Sequence, residues 1–240
     1  MATSDSTSVS SYSRLHSAHM KSTILALLFV LAGCGGRTTT PQTQTLQQHS
    51  VIFFGDSIFG RWNLDADFPG KGYVNGGMFG YRTDQLKGIL PDVLSGNKVC
   101  HGLEGDSTFP LTCVSVPPPN TIVILAAWNN FFQGNTVDPL GDLQSMAAMA
   151  NAQGVRVILC TVYAYDPAHP APWMVPTGNA PVTFYDMWRI PLNDGIGKIE
   201  GVTVVDLSSV FSRQLDYTLD GVHPNTPGYA QMREIIHLHI

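Results

Sequence analysis

Charge is scarce in this chain: Asp, Glu, Lys and Arg make up 13% of its 240 residues, and the 13 Lys and Arg stand singly along it. Binding to a phosphate backbone needs such cations gathered on one face, so nucleic acid is set aside as a partner. Metal-ligand spacing is missing too. No Cys-x-x-Cys and no His-Glu-x-x-His occurs, and no metal or other cofactor is expected. No apolar run reaches the roughly 20 residues that a membrane-spanning helix needs. What remains is a globular composition, 10% aromatic with a net charge of −5, in a length sufficient for one domain with a real core.

The longest apolar run lies near the N-terminus, where Met20-Lys21 is followed by Ile24 through Leu31 and then by Ala32-Gly33-Cys34. A core of roughly ten residues behind a positive charge suits the h-region of an export signal. Leu31-Ala32-Gly33-Cys34 resembles the bacterial lipoprotein cleavage box. That resemblance implies a signal peptide with an N-terminal extension over 1–33, a lipidated Cys34 and a membrane anchor, with Gly35 in place of Asp implying outer-membrane sorting in a host with two membranes. An ordinary cleaved signal with an incidental cysteine, giving a periplasmic or secreted protein, is the alternative. Residues 34–50 are rich in Thr, Gln and Gly without an apolar pattern and read as a flexible tether. In an exported protein Cys100 and Cys113 can close a disulfide, worth about 3 kcal/mol for a loop of that size. Cys160, inside an apolar run, reads as a buried, inert thiol.

From residue 51 to 240 short apolar runs alternate with helical patterns, which predicts one α/β domain: a three-layer α/β/α sandwich on a five-stranded parallel sheet. The strands are expected at 51–54, 73–75, 121–127, 155–162 and 202–205. Asp138 and Pro139 begin a helix whose Leu140, Leu143, Ala147 and Ala150 share one face, and Gly154 ends it. A last helix takes Thr226 as cap, Pro227 at its first position, and Tyr229, Met232 and Ile236 on its inner face. Residues 166–186 break the rhythm with prolines at 167, 170, 172, 176 and 181 beside Trp173, Met174 and Phe184. Following a strand's carboxyl end, this region reads either as a wall or lid of a ligand site or as a loop whose aromatics only pack it down.

Two short words carry chemistry. Val51-Ile52-Phe53-Phe54-Gly55-Asp56-Ser57 is an apolar strand that stops at a glycine and delivers a hydroxyl where a helix can begin. Asp220-Gly221-Val222-His223 pairs a carboxylate with an imidazole close enough for one turn of backbone to aim Asp220 at Nδ1, leaving Nε2 to take a proton from Ser57. A serine hydrolase is expected. The strand at 73–75 leads into Asn75-Gly76-Gly77-Met78-Phe79-Gly80, and the strand at 121–127 ends in Ala127-Trp128-Asn129-Asn130, both sources of donors for an oxyanion. A second Gly-Asp-Ser, at 105–107, follows no strand and reads as a turn.

These words, in this order, resemble the blocks of the GDSL/SGNH hydrolases from residue 51 to about residue 235. The resemblance implies a flavodoxin-like sheet, a triad of Ser57, Asp220 and His223, and an oxyanion hole of the Ser57 and Gly80 N–H groups with the Asn129 amide. Gly55-Asp56-Ser57-Ile58 has Ile for Leu, and Ala127-Trp128-Asn129-Asn130 has Ala for Gly and Asn for Asp. The Gly-x-Ser-x-Gly elbow of α/β-hydrolases is absent, since Phe59 takes its last place. Trp128 and Phe131, with Phe59, Tyr81 and Phe132, are expected to form an apolar pocket for a small-molecule or lipid ester. The same rings can stack on a sugar, so a carbohydrate O-acetyl esterase stays open, as do acyl transfer and a silent binding lipoprotein of the same fold.

Overall fold

Runs that are apolar at consecutive rather than alternate positions, such as those at 51–55 and 121–125, form strands that must be covered on both faces. A computed structural model describes residues 50–133, 138–166, 182–209 and 219–240 of the chain, all within one compact unit, Thr45–Ile240. The strands are β1 (Val51–Gly55), β2 (Val74–Gly77), β3 (Val99–His101), β4 (Thr112–Val114), β5 (Thr121–Leu125), β6 (Arg156–Cys160) and β7 (Val202–Val205). The helices are α1 (Ser57–Gly60), α2 (Leu64–Asp67), α3 (Thr83–Leu94), α4 (Trp128–Phe132), α5 (Pro139–Ala152), α6 (Val182–Ile196) and α7 (Thr226–Ile236). The expected signal, Cys34 and tether lie outside the described residues, as do residues 167–181 of the expected lid.

The main sheet runs β2-β1-β5-β6-β7 with every neighbouring pair parallel. This is the expected α/β architecture. β1 pairs with β2 on one side and β5 on the other, so successive connections leave the centre of the sheet in opposite directions. That topological switch opens a crevice at the carboxyl ends of β1 and β5. Phe53 of β1 meets Phe59, Trp62, Phe68 and Tyr73, and Trp62 stacks on Tyr229 of α7 with centroids 5.3 Å apart. Elsewhere α5 packs against α3 and α6, burying Leu143, Met146, Ala147 and Ala150.

Two close approaches set where α1 sits. A Cβ added to Gly77 would lie 2.0 Å from the Gly60 nitrogen, and one added to Gly55 would lie 2.0 Å from the Leu125 carbonyl oxygen. Backbone therefore rests on backbone where β1 turns into α1, which no side chain larger than hydrogen permits.

Several boundaries differ from expectation for local reasons. β5 stops at Leu125 because Ala127 turns to φ 109°. β6 stops at Cys160 because α6 supplies the next partner: Val162 donates to Asn193 Oδ1 at 2.9 Å and its carbonyl accepts from Asn193 Nδ2 at 2.7 Å. Asn225, not Thr226, caps α7, with Oδ1 accepting the Gly228 N–H at 3.0 Å, which moves Pro227 to the second position. Residues 182–186, expected to be irregular, begin α6. A β3–β4 hairpin places Cys100 opposite Cys113, and the disulfide between them closes it. Gly105-Asp106-Ser107 is a turn, with Asp106 Oδ1 accepting the N–H groups of Thr108 and Phe109.

Asn130 shows why an amide serves where the family pattern has Asp. Its Oδ1 accepts the Thr83 N–H at the start of α3, and its Nδ2 donates to Thr83 Oγ1, which donates to Asp142 Oδ2 at 2.8 Å. Lys87 completes the chain by pairing with Asp142. Asn130→Asp would leave two buried carboxylates competing for one hydroxyl proton, and is expected to lower stability by about 1–3 kcal/mol. Urea unfolding at neutral pH measures this, and an unchanged midpoint would contradict the network.

Candidate active site

Gly55 ends β1, and Asp56 turns the chain into α1 by accepting the Ile58 N–H on Oδ1 at 3.0 Å. Ser57 thus opens the helix at the carboxyl end of β1. As a first-turn residue its own N–H has no intrahelical acceptor. Its Oγ lies 2.8 Å from His223 Nε2.

A single carboxylate shapes the other side. Asp220 Oδ1 accepts the N–H groups of Val222 at 3.2 Å and His223 at 2.8 Å, folding the turn, while Oδ2 lies 2.7 Å from His223 Nδ1. Burial raises the Asp220 pKa, but the hydrogen bonds and charge of His223 outweigh it, and the net direction is down. Asp220 is therefore held ionised, suited to orient an imidazole and to face its cation. Two phenols brace the pieces. Tyr163 donates to the Val222 carbonyl beside His223, and Tyr229 donates to the Ile58 carbonyl beside Ser57 at 2.7 Å.

Gly80 and Asn129 stand across from this pair. Gly80 has φ 74°, and its carbonyl accepts Gln133 Nε2 at 2.8 Å. Asn129 Nδ2 donates one hydrogen to the Tyr81 carbonyl at 2.9 Å, leaving a second on the same nitrogen. Ser57, Gly80, Asn129 and His223 line one cleft of about 440 Å³ together with Arg61, Phe79, Leu103, Phe132 and Gln133.

Trp128 and Phe131, expected to form the ester pocket, do not line this cleft. Trp128 opens α4 and is buried, stacked on Phe132 with centroids 5.4 Å apart and packed near Tyr163 and Tyr185. Phe131 lies edge-on to Trp128 against the core. Phe59 is also buried in the core. The helical turn places Phe132, rather than Trp128 or Phe131, on the wall of the cleft that Ser57 lines. Arg61, Phe79, Leu103 and Gln133 were not foreseen. Arg61, Phe79 and Gln133 adjoin the matched words, but Leu103 arrives from the disulfide-closed hairpin, far along the chain. Its loop is seated on β2, where Gly102 donates to the Gly77 carbonyl at 3.0 Å and accepts the Phe79 N–H at 3.1 Å.

Comparison with solved structures places this geometry in context. A GDSL-like lipase from Bacteroides thetaiotaomicron is 23% identical, with a TM-score of 0.58 over 80% of this chain and 87% of that one. The acetyl xylan esterase AlAXEase is 19% identical, with a TM-score of 0.57 over 80% of this chain and 99% of that one. A catalytic mutant of Axe2, an acetylxylan esterase from Geobacillus stearothermophilus, is 16% identical, with a TM-score of 0.53 over 78% and 92%. This chain has the fold of the GDSL-like hydrolases. No family model matches its sequence, and no curated protein does.

Within that GDSL-like fold, Ala127 carries strain. It is buried, stands between β5 and α4, and holds φ 109° and ψ −13°, a region that a Cβ disfavours. Ala127→Gly is expected to raise stability by about 0.5–1 kcal/mol, the relief of strain exceeding the entropy glycine adds to the unfolded chain. A thermal midpoint equal to or below that of the parent would show the turn to be unstrained.

Asp56 is a second internal tension. Fully buried, with Oδ2 lacking a hydrogen-bond partner, its carboxyl is pushed up from 3.8 to about 7 by desolvation, against the Ile58 N–H bond that lowers it. The folded state therefore holds this proton to higher pH than the unfolded chain. Its contribution to stability falls as pH rises from about 4 through about 7. Asp56→Asn keeps the capping oxygen and cannot ionise. It is expected to be more stable than the parent at pH above 7, with the gain gone near pH 4, as unfolding at two pH values would read; a gain independent of pH would mean that Asp56 is not the titrating group.

Proposed function

We propose that the protein hydrolyses carboxylic esters with Ser57 as nucleophile, His223 as general base and acid, and Asp220 as the group that orients and offsets the charge of the imidazole. The observation that carries this is the continuous pair of contacts, Ser57 Oγ to His223 Nε2 at 2.8 Å and His223 Nδ1 to Asp220 Oδ2 at 2.7 Å, opening on a cleft at the switch point of the sheet. His223 Nε2 takes the Ser57 proton as Oγ bonds to the ester carbon. The N–H groups of Ser57 and Gly80 and the free amide hydrogen of Asn129 receive the oxyanion. Collapse of the tetrahedral species expels the alcohol, which leaves with the proton from His223. Water then attacks the acyl-enzyme by the same route and frees the acid and Ser57.

Phe79, Leu103 and Phe132 make the cleft wall apolar, which supports acyl esters of modest size. A carbohydrate O-acetyl ester is the second reading, favoured by likeness to two proteins named as acetyl xylan esterases. The proposal extends to an exported enzyme anchored through Cys34, supported by the Leu31-Ala32-Gly33-Cys34 box and by the Cys100–Cys113 disulfide, a bond typical of oxidising compartments.

The purified full-length protein is expected to cleave p-nitrophenyl esters, with turnover abolished in Ser57→Ala and chain-length preference separating acetyl from longer acyl groups. Asn129→Ala is expected to lower kcat about 10²–10³-fold with little change in KM. A loss smaller than twofold would remove Asn129 from the oxyanion hole.

A further inference from the structure

Arg61 follows the last residue of α1, one turn beyond Ser57, and lines two cavities at once. One is the cleft beside Ser57 and His223. The other, of about 450 Å³, adjoins it at Arg61 and is bounded by Trp62, Asn63, Phe109, Asn225 and Tyr229. The guanidinium carbon lies 5.0 Å from the centroid of Phe109 and 5.8 Å from that of Phe79, so aromatic faces hold the group in place. Arg61 Nε is buried and has no hydrogen-bond partner.

The nearby carboxylates make their hydrogen bonds to other groups. Asp106 accepts the N–H groups of Thr108 and Phe109 on Oδ1, and its pKa is lowered by those bonds and, to a smaller extent, by the charge of Arg61. Asp67, which also lines the second cavity, accepts Trp62 Nε1 at 2.5 Å and faces Arg233 at 3.6 Å. Asp220 holds His223, and Asp56 caps α1. No ion pair joins Arg61 to a carboxylate among the described residues. A guanidinium held between two aromatic faces in the wall of a reaction cleft, in no ion pair among the described residues and felt by Asp106 only at a distance, favours a ligand that brings an anionic acceptor to it.

We propose that Arg61 is a specificity-determining residue that binds an anionic group of the ester, so that the preferred substrates are esters bearing a carboxylate or a similar oxyanion on the acyl or the alcohol part. This rests on the proposal that Ser57 attacks esters. The anion would pair with the guanidinium while the ester carbonyl lies at Ser57, and the apolar walls of Phe79, Leu103 and Phe109 would strengthen that pairing by excluding water.

Two matched substrate pairs test it on the full-length protein. Mono-p-nitrophenyl succinate against p-nitrophenyl butyrate reads an anion on the acyl side, and 4-acetoxybenzoate against 4-acetoxybenzamide reads one on the alcohol side. In one pair the anionic member is expected to have kcat/KM higher by about tenfold or more, carried by KM, with the preference shrinking at high salt and disappearing in Arg61→Gln. Equal rates within both pairs, or a preference that survives Arg61→Gln, would overturn the assignment. Should Arg61→Gln not fold, the salt dependence in the parent and the same pairs in Arg61→Met, which keeps the packing of the stem, decide by the same criteria. If no ester is cleaved, the triad proposal fails, and Arg61 is judged separately by calorimetric binding of succinate and 4-hydroxybenzoate to Ser57→Ala: affinity lost on adding Arg61→Gln upholds the anion site, and absent or unaltered affinity overturns it.

Discussion

Everything at the candidate site depends on how closely α1 sits on the end of the sheet. Gly55 lets the turn after β1 pass against the Leu125 carbonyl, and Gly60 and Gly77 let helix and strand meet backbone to backbone. A side chain at either contact would push α1 away by more than the margin that a 2.8 Å hydrogen bond to His223 allows. Asn75 secures the same contact from below, donating to the carbonyls of Phe59 and Trp62 while accepting the Gly77 N–H. The serine is placed by packing density and backbone hydrogen bonds, and the attraction of His223 acts on a group already in position.

The second half of the site is built with few residues. Asp220 folds its own turn with one oxygen and aims the imidazole with the other, so shape and charge come from one carboxylate. Tyr163 and Tyr229 then join this turn and the start of α1 to the core through carbonyls that neighbour His223 and Ser57. Desolvation places both phenols well above their ordinary titration range, so they remain neutral donors. The cleft between the two halves is apolar on most of its wall and cationic at Arg61. That contrast is where the chemistry of the substrate enters.

Departures from the family pattern have local answers in the structure. Asn130 works because the Thr83 hydroxyl can accept from its amide while donating a hydrogen bond to Asp142. Ala127 occupies a conformation that glycine would hold without strain, and the buried, tightly packed end of β5 keeps it there.

The sequence alone carried the parallel α/β fold, because uninterrupted apolar strands separated by helical faces admit few other arrangements. It also pointed to Ser57, Gly80 and Asn129, because each lies in a short word just beyond a strand, and to Asp220 and His223, because their spacing fits one turn of backbone. The side chains that wall the cleft were less accessible. Trp128 and Phe131 sat in the right word, but helical geometry buried Trp128, laid Phe131 half-buried against the core and left Phe132 on the cleft wall. Leu103 came from a hairpin whose strands are too short to read, brought into place by pairing with β2 and closed by the Cys100–Cys113 bond. The setting of Arg61 between Phe79 and Phe109 could not be seen at all from the chain, since it depends on where the β3–β4 hairpin loop settles beside the cleft. Composition and period govern what must be buried, whereas the partners that meet across a cleft are decided by contacts between segments that the sequence keeps far apart.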